Sequence, residues 1–485
     1  MADIRNIVKG ITILSMRGEK NPVVEKIEFD SRKVTARTLF IAVKGTRDDG
    51  HNYIGKAVSS GATAVICETI PQDPEEDICW IVTSDSARAL GIASSNLYNN
   101  PSSSLTLVGI TGTNGKTTIA TLLYQLFIRL GYKCGLFSTI RNCINDSELP
   151  ATHTTPDPVV LNRVLYEMVK AGCEYAFMEV SSHATDQQRI AGLKFAGAVF
   201  TNLTHDHLDY HQSFSNYLRA KKKFFDDLSD NAFALINADD RNGKIMVQNC
   251  KAVTHTFSVR SMADFRCNIL EQGFEGMQLR IDGNDVWTRF FGDFNASNLL
   301  AVYAVSALLG ANDKEALTAL SNLSPVAGRL EVVETATGIS GIVDYAHTPD
   351  ALSNVIDTIN SLRNEGKQLI TVVGAGGDRD RLKRPAMGAI AAERSTRLIL
   401  TSDNPRNEDP EKILDDIEAG IAPELKRKVV RISDRREAIK TSVMLAGKGD
   451  VILVAGKGHE TYQDVGGIKH HFDDREELRK ALLMK

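Results

Sequence analysis

Gly109-Ile110-Thr111-Gly112-Thr113-Asn114-Gly115-Lys116-Thr117-Thr118 grows out of the apolar run 105–110. A strand, a glycine-rich turn and a helix start in that order form the local architecture of a nucleoside triphosphate site. The glycines let backbone N–H groups approach phosphates, and the helix N-terminus adds partial positive charge. Lys116 would reach the β- and γ-phosphates and the Thr117 hydroxyl would sit on magnesium. The strict pattern asks for glycine five residues before Gly115, where this chain has Ile110, so the loop is a variant. An ordinary strand–helix turn is the competing reading, but Gly-Lys-Thr in this context favours ATP or a relative.

Working outward, 485 residues predict about three domains at roughly 150 residues each. With 42% hydrophobic and 24% charged residues the composition is that of a globular protein with ample core. A net charge of −4 gives no sign of a nucleic-acid partner. The seven cysteines are scattered and form no C-x-x-C pair, which implies neither a disulfide framework nor a zinc site. No apolar run approaches a membrane span and the N-terminus lacks a signal-peptide core, so a cytoplasmic protein is expected.

Three blocks are expected: 1–100, 101–330 and 331–485. The first alternates short strands (27–29, 39–42, 64–67, 80–82) with helices, and 99–104 reads as a linker. The second opens with the phosphate-loop strand. Ile119, Leu122, Leu123, Leu126, Phe127 and Leu130 stripe its first helix, which Gly131 stops. The stretch 323–338 reads as the next boundary. In the last block, strands at 369–373, 398–400, 429–432 and 451–454 alternate with helices, a doubly wound pattern. Three of them run into polar motifs: Gly376-Gly377-Asp378-Arg379-Asp380, Ser402-Asp403-Asn404-Pro405-Arg406 and Gly456-Lys457-Gly458-His459-Glu460. Open α/β sheets bind ligands beyond the carboxyl ends of their strands. The fold class expected is therefore α/β.

Within the second block, Tyr175-Ala176-Phe177-Met178-Glu179 reads as a buried strand ending in a carboxylate, a candidate magnesium ligand, against the alternative of a solvated strand end. The run 201–211 holds His205, His207 and His211 with Asp206 and Asp209, but its spacing fits no zinc motif. The helix around Tyr217-Leu218-Arg219-Ala220-Lys221-Lys222-Lys223-Phe224-Phe225 has Phe214, Tyr217, Phe224 and Phe225 on its apolar face. On physics alone its three lysines read as a solvated basic face. Gly292-Asp293-Phe294-Asn295-Ala296-Ser297-Asn298 opens another helix, where the asparagines either cap the helix or hydrogen-bond a base.

Taken together, these motifs resemble the Mur ligases, which build the cytoplasmic peptide of bacterial cell-wall precursors, and within them the branch that adds the third amino acid. The resemblance covers nearly the whole chain in order: Asp30-Ser31-Arg32, TGTNGKTT, HTTPD, EVSSH, TNLTHDHLDYH, the Y-x-x-A-K helix, GDFNASN, VDYAHTPDAL, GGDRD, DNPR and GKGHE. It implies a three-domain architecture: an N-terminal UDP-substrate-binding domain, a central P-loop-type ATP-binding domain and a C-terminal Rossmann-like domain. It also implies Mg2+ and ATP, with Gly112, Thr113, Asn114, Gly115, Lys116, Thr117, Thr118, Asn295 and His347 at the nucleotide. Thr117 and Glu179 would hold one metal ion, and His207 with Lys221, carried as a carbamate, a second. Lys116, Glu179, His207 and Lys221 are the implied catalytic set.

The implied acceptor is UDP-N-acetylmuramoyl-L-alanyl-D-glutamate. Phe29, Ser31, Thr46, Arg47 and Asp48 would surround its uridine diphosphate end; Thr154, Thr155, Ser181, Gln187 and Arg189 would hold the muramoyl-dipeptide end. His153 stands where some members have asparagine. The implied chemistry is acyl phosphate formation on the D-Glu carboxylate followed by amine attack. Asp403, Asn404, Pro405 and Arg406 match the motif that accompanies diaminopimelate, taken here as the meso form, whose distal carboxylate an Arg fork binds bidentately. Arg379, Gly456 and Glu460 match further amino-acid contacts. An exposed turn arginine is the competing reading of Arg406. Lysine as the added residue, a folylpolyglutamate synthase and a nucleotide-driven switch are the alternatives. A monomer without nucleic-acid or membrane partners is expected.

Overall fold

The computed structural model describes residues 2–19, 21–45, 48–151, 153–333 and 336–485. Thr46 and Arg47, both expected at the uridine end, lie outside the described residues. Three principal sheets follow one another along the chain. The first has the order Ile13–Arg17, Cys79–Thr83, Ala62–Cys67, Thr38–Ile41, Lys26–Glu28, parallel except for its first strand. Residues 99–104 are not a loose linker. Pro101–Ser103 forms a 3-10 turn with Pro101 and Ser102 buried, the Ser102 hydroxyl accepts the Lys194 N–H at 3.0 Å, and Ser95 Oγ donates to the Gly192 carbonyl at 3.2 Å, fixing the first block to the second.

The second sheet has eleven strands, and the phosphate-loop strand Thr106–Thr111 lies inside it, flanked by Tyr175–Glu179 and Gly197–Phe200. Both flanking pairings are parallel, with Glu179 opposite Ile110 and Phe200 opposite Thr111. The ends of all three strands therefore arrive at one edge beside the glycine-rich turn. Strands buried on both faces read as continuous apolar runs, which is why their positions are legible. The helix Lys116–Arg129 is buried well beyond its predicted stripe, with Thr117, Thr118 and Thr121 also covered. The helix Asp293–Leu308 packs against it, buried on nearly every face. Each buried Leu or Val in this pair contributes about 1.5–3 kcal/mol.

The third sheet runs Glu331–Val333, Ser340–Asp344, Val451–Ala455, Leu369–Val373, Arg397–Leu400, Val429–Arg431, with only the first strand antiparallel. Four adjacent strands thus deliver Tyr345–His347, Gly456–Glu460, Gly374–Asp380 and Thr401–Arg406 to the same edge. Among the described residues no helix is long and apolar enough to cross a membrane.

Candidate functional site

Two glycines make the phosphate loop possible. Gly112 has φ +150° and Gly115 φ +88°; a Cβ on Gly112 would lie 1.8 Å from Thr201 Oγ1, and one on Gly115 would lie 2.7 Å from Asn298 Oδ1. Thr201 Oγ1 donates to the Asn114 carbonyl at 2.6 Å, and the Asn202 side chain accepts the Asn114 N–H at 2.9 Å, so the next strand's end braces the loop. Lys116 Nζ donates to the Gly112 and Thr113 carbonyls at 2.8 Å, folded back over its own loop. Burial pushes its pKa down, and the nearby Glu179 carboxylate opposes that shift.

Glu179 is fully buried. Its Oε1 accepts the Thr139 N–H at 2.6 Å and its Oε2 the Thr139 hydroxyl at 3.2 Å, and Thr139 Oγ1 lies 3.0 Å from Thr154 Oγ1. Thr155 donates to the Glu179 carbonyl at 2.8 Å and accepts the Ser181 N–H at 3.1 Å. Arg189 donates to the Thr155 carbonyl at 2.8 Å and to Gln187 Oε1 at 2.7 Å. Thr154, Thr155, Ser181, Gln187 and Arg189 therefore form one network that ends on Glu179. The carboxylate's side-chain partners are neutral Thr139 groups. An anionic oxygen so placed, with the Thr117 hydroxyl at the start of the adjoining helix, is the donor chemistry a hard cation takes.

Lys221 overturns the solvated-face reading. It is 1% exposed on the helix Phe214–Asp226 and shares the face of Tyr217, Phe224 and Phe225, four, three and four residues away. Lys222 is paired with Asp226 at 2.5 Å. Lys221 Nζ donates to the Gly112 carbonyl at 2.7 Å and lies 4.9 Å from the Tyr217 ring centre. Burial, followed by the charge of Lys116, lowers its pKa well below 10.5. His207 has φ +54°; desolvation lowers its pKa, and the Asp206 carboxylate 3.4 Å from its Nε2 opposes that shift. His183, His207, His211 and Tyr210 pack ring on ring, but His211 is tied to Ser182 Oγ at 2.9 Å. Among the described residues no three His, Cys, Asp or Glu side chains converge as a metal-binding group.

A cleft of about 760 Å³ lies between the second and third blocks, lined by Asn114, Gly115, Thr118, Asn295, Arg329 and His347 among others. Asn295 and Asn298 sit within the helix, and the N-cap is Gly292. Asn295 Nδ2 donates to the Phe291 carbonyl at 3.0 Å and Asn298 Nδ2 to Asn295 Oδ1 at 3.3 Å. His347 Nδ1 lies 2.8 Å from the Tyr345 carbonyl oxygen. Asn114 Nδ2 donates to Asp350 Oδ2 at 3.1 Å, joining the loop to the third block.

Arg329 has no counterpart in the sequence reading, where Gly328 marked only a boundary. Its Nη2 donates to Thr117 Oγ1 at 3.3 Å, its guanidinium carbon sits 4.5 Å from the Tyr345 ring centre, and its Nε is buried without a partner among the described residues. Asp344 holds the turn that carries it, accepting the Leu330 and Ala346 N–H groups at 2.7 Å. A lone arginine within an apparent linker was the available signal.

At the third sheet's edge Lys457, fully buried, donates to Asn404 Oδ1 and Glu460 Oε2 at 3.0 Å, and Asn404 Nδ2 donates to the same Glu460 oxygen at 2.7 Å. Asp403 is buried, with its carboxylate beside Gly456, where a Cβ would lie 2.6 Å from Oδ2. Arg406 Nη1 donates to the Gly377 carbonyl at 2.5 Å. Arg379 follows Asp378, whose φ is +53°. Arg379, Asp403, Asn404, Pro405, Arg406, Gly456 and Glu460 are thus on neighbouring loops, outside the large cleft's lining. Phe29 (38% exposed), buried Ser31 and Asp48, which accepts the Tyr53 hydroxyl at 2.6 Å, lie apart in the first block, on the turns that follow its strands.

Three family models match in chain order: "Mur ligase family, catalytic domain" at 23–96, "Mur ligase middle domain" at 110–306 and "Mur ligase, glutamate ligase domain" at 328–458. The chain belongs to the Mur ligase family. Among curated relatives, the UDP-N-acetylmuramoyl-L-alanyl-D-glutamate–2,6-diaminopimelate ligase of Phocaeicola vulgatus is 54% identical over 98% of both chains. The protein of that name from Clostridioides difficile is 40% identical over 99% of both. A solved structure with the same title superposes with TM-score 0.70 at 32% identity, covering 100% of this chain and 99% of that one. A Mycobacterium tuberculosis folylpolyglutamate synthase superposes with TM-score 0.62 at 18% identity over 76% of this chain, a likeness of fold alone. The Mur ligase architecture expected from the motifs, three blocks with parallel α/β sheets, is the architecture found.

Proposed function

We propose that this Mur ligase adds meso-diaminopimelate to the D-Glu carboxylate of UDP-N-acetylmuramoyl-L-alanyl-D-glutamate, using ATP. The observation that carries the reading is the line from Thr154 through Thr139 to Glu179, which puts the residues expected to hold the acceptor against a buried carboxylate beside the phosphate loop. The names of the relatives support the same acceptor and amino acid. Phe29, Ser31 and Asp48 are assigned to the uridine end, and Thr154, Thr155, Ser181, Gln187 and Arg189 to the muramoyl-dipeptide.

Gly112 to Thr118, with Asn295 and His347, bind the nucleotide. Thr117 and Glu179 would hold one magnesium ion, and His207 with Lys221 as a carbamate a second; bound there, the ions neutralise charge on the transferring phosphoryl group. The amine of Lys221 is suited to that modification. Burial favours its neutral form, and only a neutral amine has the lone pair that attacks carbon dioxide. Lys116 and Arg329 bring two cationic side chains to the phosphate end.

The D-Glu carboxylate attacks the γ-phosphorus and ADP leaves. The incoming amine then attacks the acyl carbon, loses a proton and expels phosphate as the amide forms. Asp403 and Glu460 suit the amino acid's ammonium groups, and Arg379 and Arg406 its carboxylates. Access of water would hydrolyse the acyl phosphate, so the facing second and third blocks must exclude it. The work is done in the cytoplasm, where nucleotide precursor and ATP meet.

Phosphate release with ATP and magnesium, omitting acceptor or amino acid in turn, tests the reading. Release that requires both supports it. Sustained release with ATP alone would replace the ligase with a nucleotide-driven switch.

A further inference from the structure

Beneath the Asp403–Arg406 loop lies Arg384, 0% exposed and among the largest fully buried side chains of the protein. Its Nη1 donates to Glu408 Oε2 at 3.0 Å and to Asp416 Oδ2 at 2.8 Å; its Nη2 donates to Glu408 Oε1 at 3.0 Å and to the Gly376 carbonyl at 3.1 Å. Glu408 Oε1 also accepts the Asp378 N–H at 2.6 Å, and Oε2 lies 2.9 Å from Arg381. One carboxylate, held by a two-pronged guanidinium, therefore spans the loop that carries Arg379 and the loop that carries Arg406. A fork-to-fork pair fixes direction as well as distance.

The two loops touch where that carboxylate joins them. Gly377 N–H donates to the Asn404 carbonyl at 2.9 Å, and a Cβ on Gly377 would lie 1.9 Å from the Pro405 oxygen. The Arg406 guanidinium rests on the Gly377 carbonyl. Arg406 itself has φ +51°, a conformation that non-glycine residues adopt rarely. Its backbone is held there from the other side: its N–H donates to the Asp464 carbonyl at 3.0 Å, and its carbonyl accepts the Gly466 N–H at 2.7 Å. With the Arg406 backbone fixed by the hairpin Tyr462–Val465/Ile468–His471, the free variable is where Gly377 presents its oxygen. Glu408 sets that directly through the Asp378 N–H, and through Arg384, which it orients, at the Gly376 carbonyl.

We propose that Glu408, seated on Arg384, is the positioning residue that aims Arg406 and so sets the choice between diaminopimelate and lysine. The proposal rests on the reading of Arg406 given above. Glu408 touches no substrate on this account. Its removal lets the Gly376–Asp378 turn relax and the Arg406 fork lose its direction, while the nucleotide cleft is left alone.

The test compares kcat/KM for meso-diaminopimelate with that for L-lysine in wild type, Arg406→Ala, Glu408→Ala, Glu408→Gln and the Arg406→Ala/Glu408→Ala double variant, with thermal unfolding of each. Glu408→Ala is expected to lower the ratio about tenfold through a raised KM for diaminopimelate, the scale of one charge-assisted hydrogen bond, with the KM for ATP held within about twofold. Glu408→Gln, which keeps an acceptor for Asp378, recovers part of the ratio. In the Arg406→Ala background the second substitution changes the ratio no further. If Arg406→Ala lowers the ratio and Glu408→Ala does not, or Glu408→Ala slows both amino acids equally, the positioning role is overturned and the reading of Arg406 survives. If Arg406→Ala leaves the ratio intact, both fall. Should Glu408→Ala not fold, Glu408→Gln is judged by the same ratio.

Discussion

Lys221 Nζ lies 2.7 Å from the carbonyl oxygen of Gly112, so a fully buried amine on one helix touches the first turn of the phosphate loop. Its Nζ meets the Gly112 carbonyl, the Thr111 hydroxyl and the Tyr217 ring. A lysine placed to balance a carboxylate would be ion-paired. This one is desolvated, which is what the carbamate proposed above requires of it.

Lys221→Ala is therefore expected to cut ligation by about a hundredfold or more, the scale set by losing several kcal/mol of phosphoryl charge stabilisation. The fold should persist, checked by thermal unfolding. Protein equilibrated with 13C-bicarbonate should show a carbamate carbon that the variant lacks. Wild-type turnover in Lys221→Ala removes the carbamate from the account.

Gly112→Ala probes the loop itself. Its Cβ would meet Thr201 Oγ1 at 1.8 Å, and that hydroxyl is already committed to the Asn114 carbonyl. Loss of nucleotide binding by calorimetry, with the first and third blocks still folded by circular dichroism, is the expected outcome. Unaltered ATP affinity would show that the loop is not braced through Thr201.

Arg406→Ala should reduce the preference for diaminopimelate over lysine by about ten- to a hundredfold, since a charged hydrogen bond is worth roughly 1.5–3 kcal/mol. Product ratios from mixed amino acids measure it. An unchanged ratio assigns the distal carboxylate to another residue.

Glu408 also gives an acid-stability signature. Its hydrogen bonds with Arg384 hold its pKa at about 2, down from 4.5. A depressed carboxylate pKa contributes stability in full above 4.5 and loses it as pH falls toward 2. Glu408→Gln removes that contribution, so the unfolding free energy of the variant should fall less steeply than wild type between pH 4.5 and 2. Parallel curves in that window would contradict the pairing.

Arg435 and Asp474, both 0% exposed, are joined at 2.7 Å, and Arg435 also donates to the Ser402 carbonyl at 3.3 Å and the Ala455 carbonyl at 3.0 Å. Removing one partner of a buried pair costs about 3–5 kcal/mol. Arg435→Ala should destabilise the third block on that scale in urea unfolding. A change under about 1 kcal/mol would mean that water or a neighbour replaces the guanidinium.

How much of this was legible follows from the range of each interaction. Strands such as Leu369–Val373 and Tyr175–Glu179 are read at their observed bounds because burial on both faces writes them as nearly continuous apolar runs, broken only at Thr371 and at the terminal Glu179. The phosphate loop is legible because its chemistry is local. Lys221 is not, on physics alone: the run of three lysines suggests a wet surface, although helical spacing from Tyr217 to Phe224 already puts Lys221 on the apolar face. Arg329 and Glu408 act through partners 212 and 24 residues away, Thr117 and Arg384, and no pattern along the chain encodes such a pairing.

The most direct test of the central claim is the product formed when the purified protein meets ATP, magnesium, UDP-N-acetylmuramoyl-L-alanyl-D-glutamate and an equimolar mixture of meso-diaminopimelate and L-lysine. Mass spectrometry should find the diaminopimelate tripeptide with one phosphate released per product. A lysine tripeptide would overturn the role given to Arg406, and a folded protein that makes neither would contradict the ligase itself.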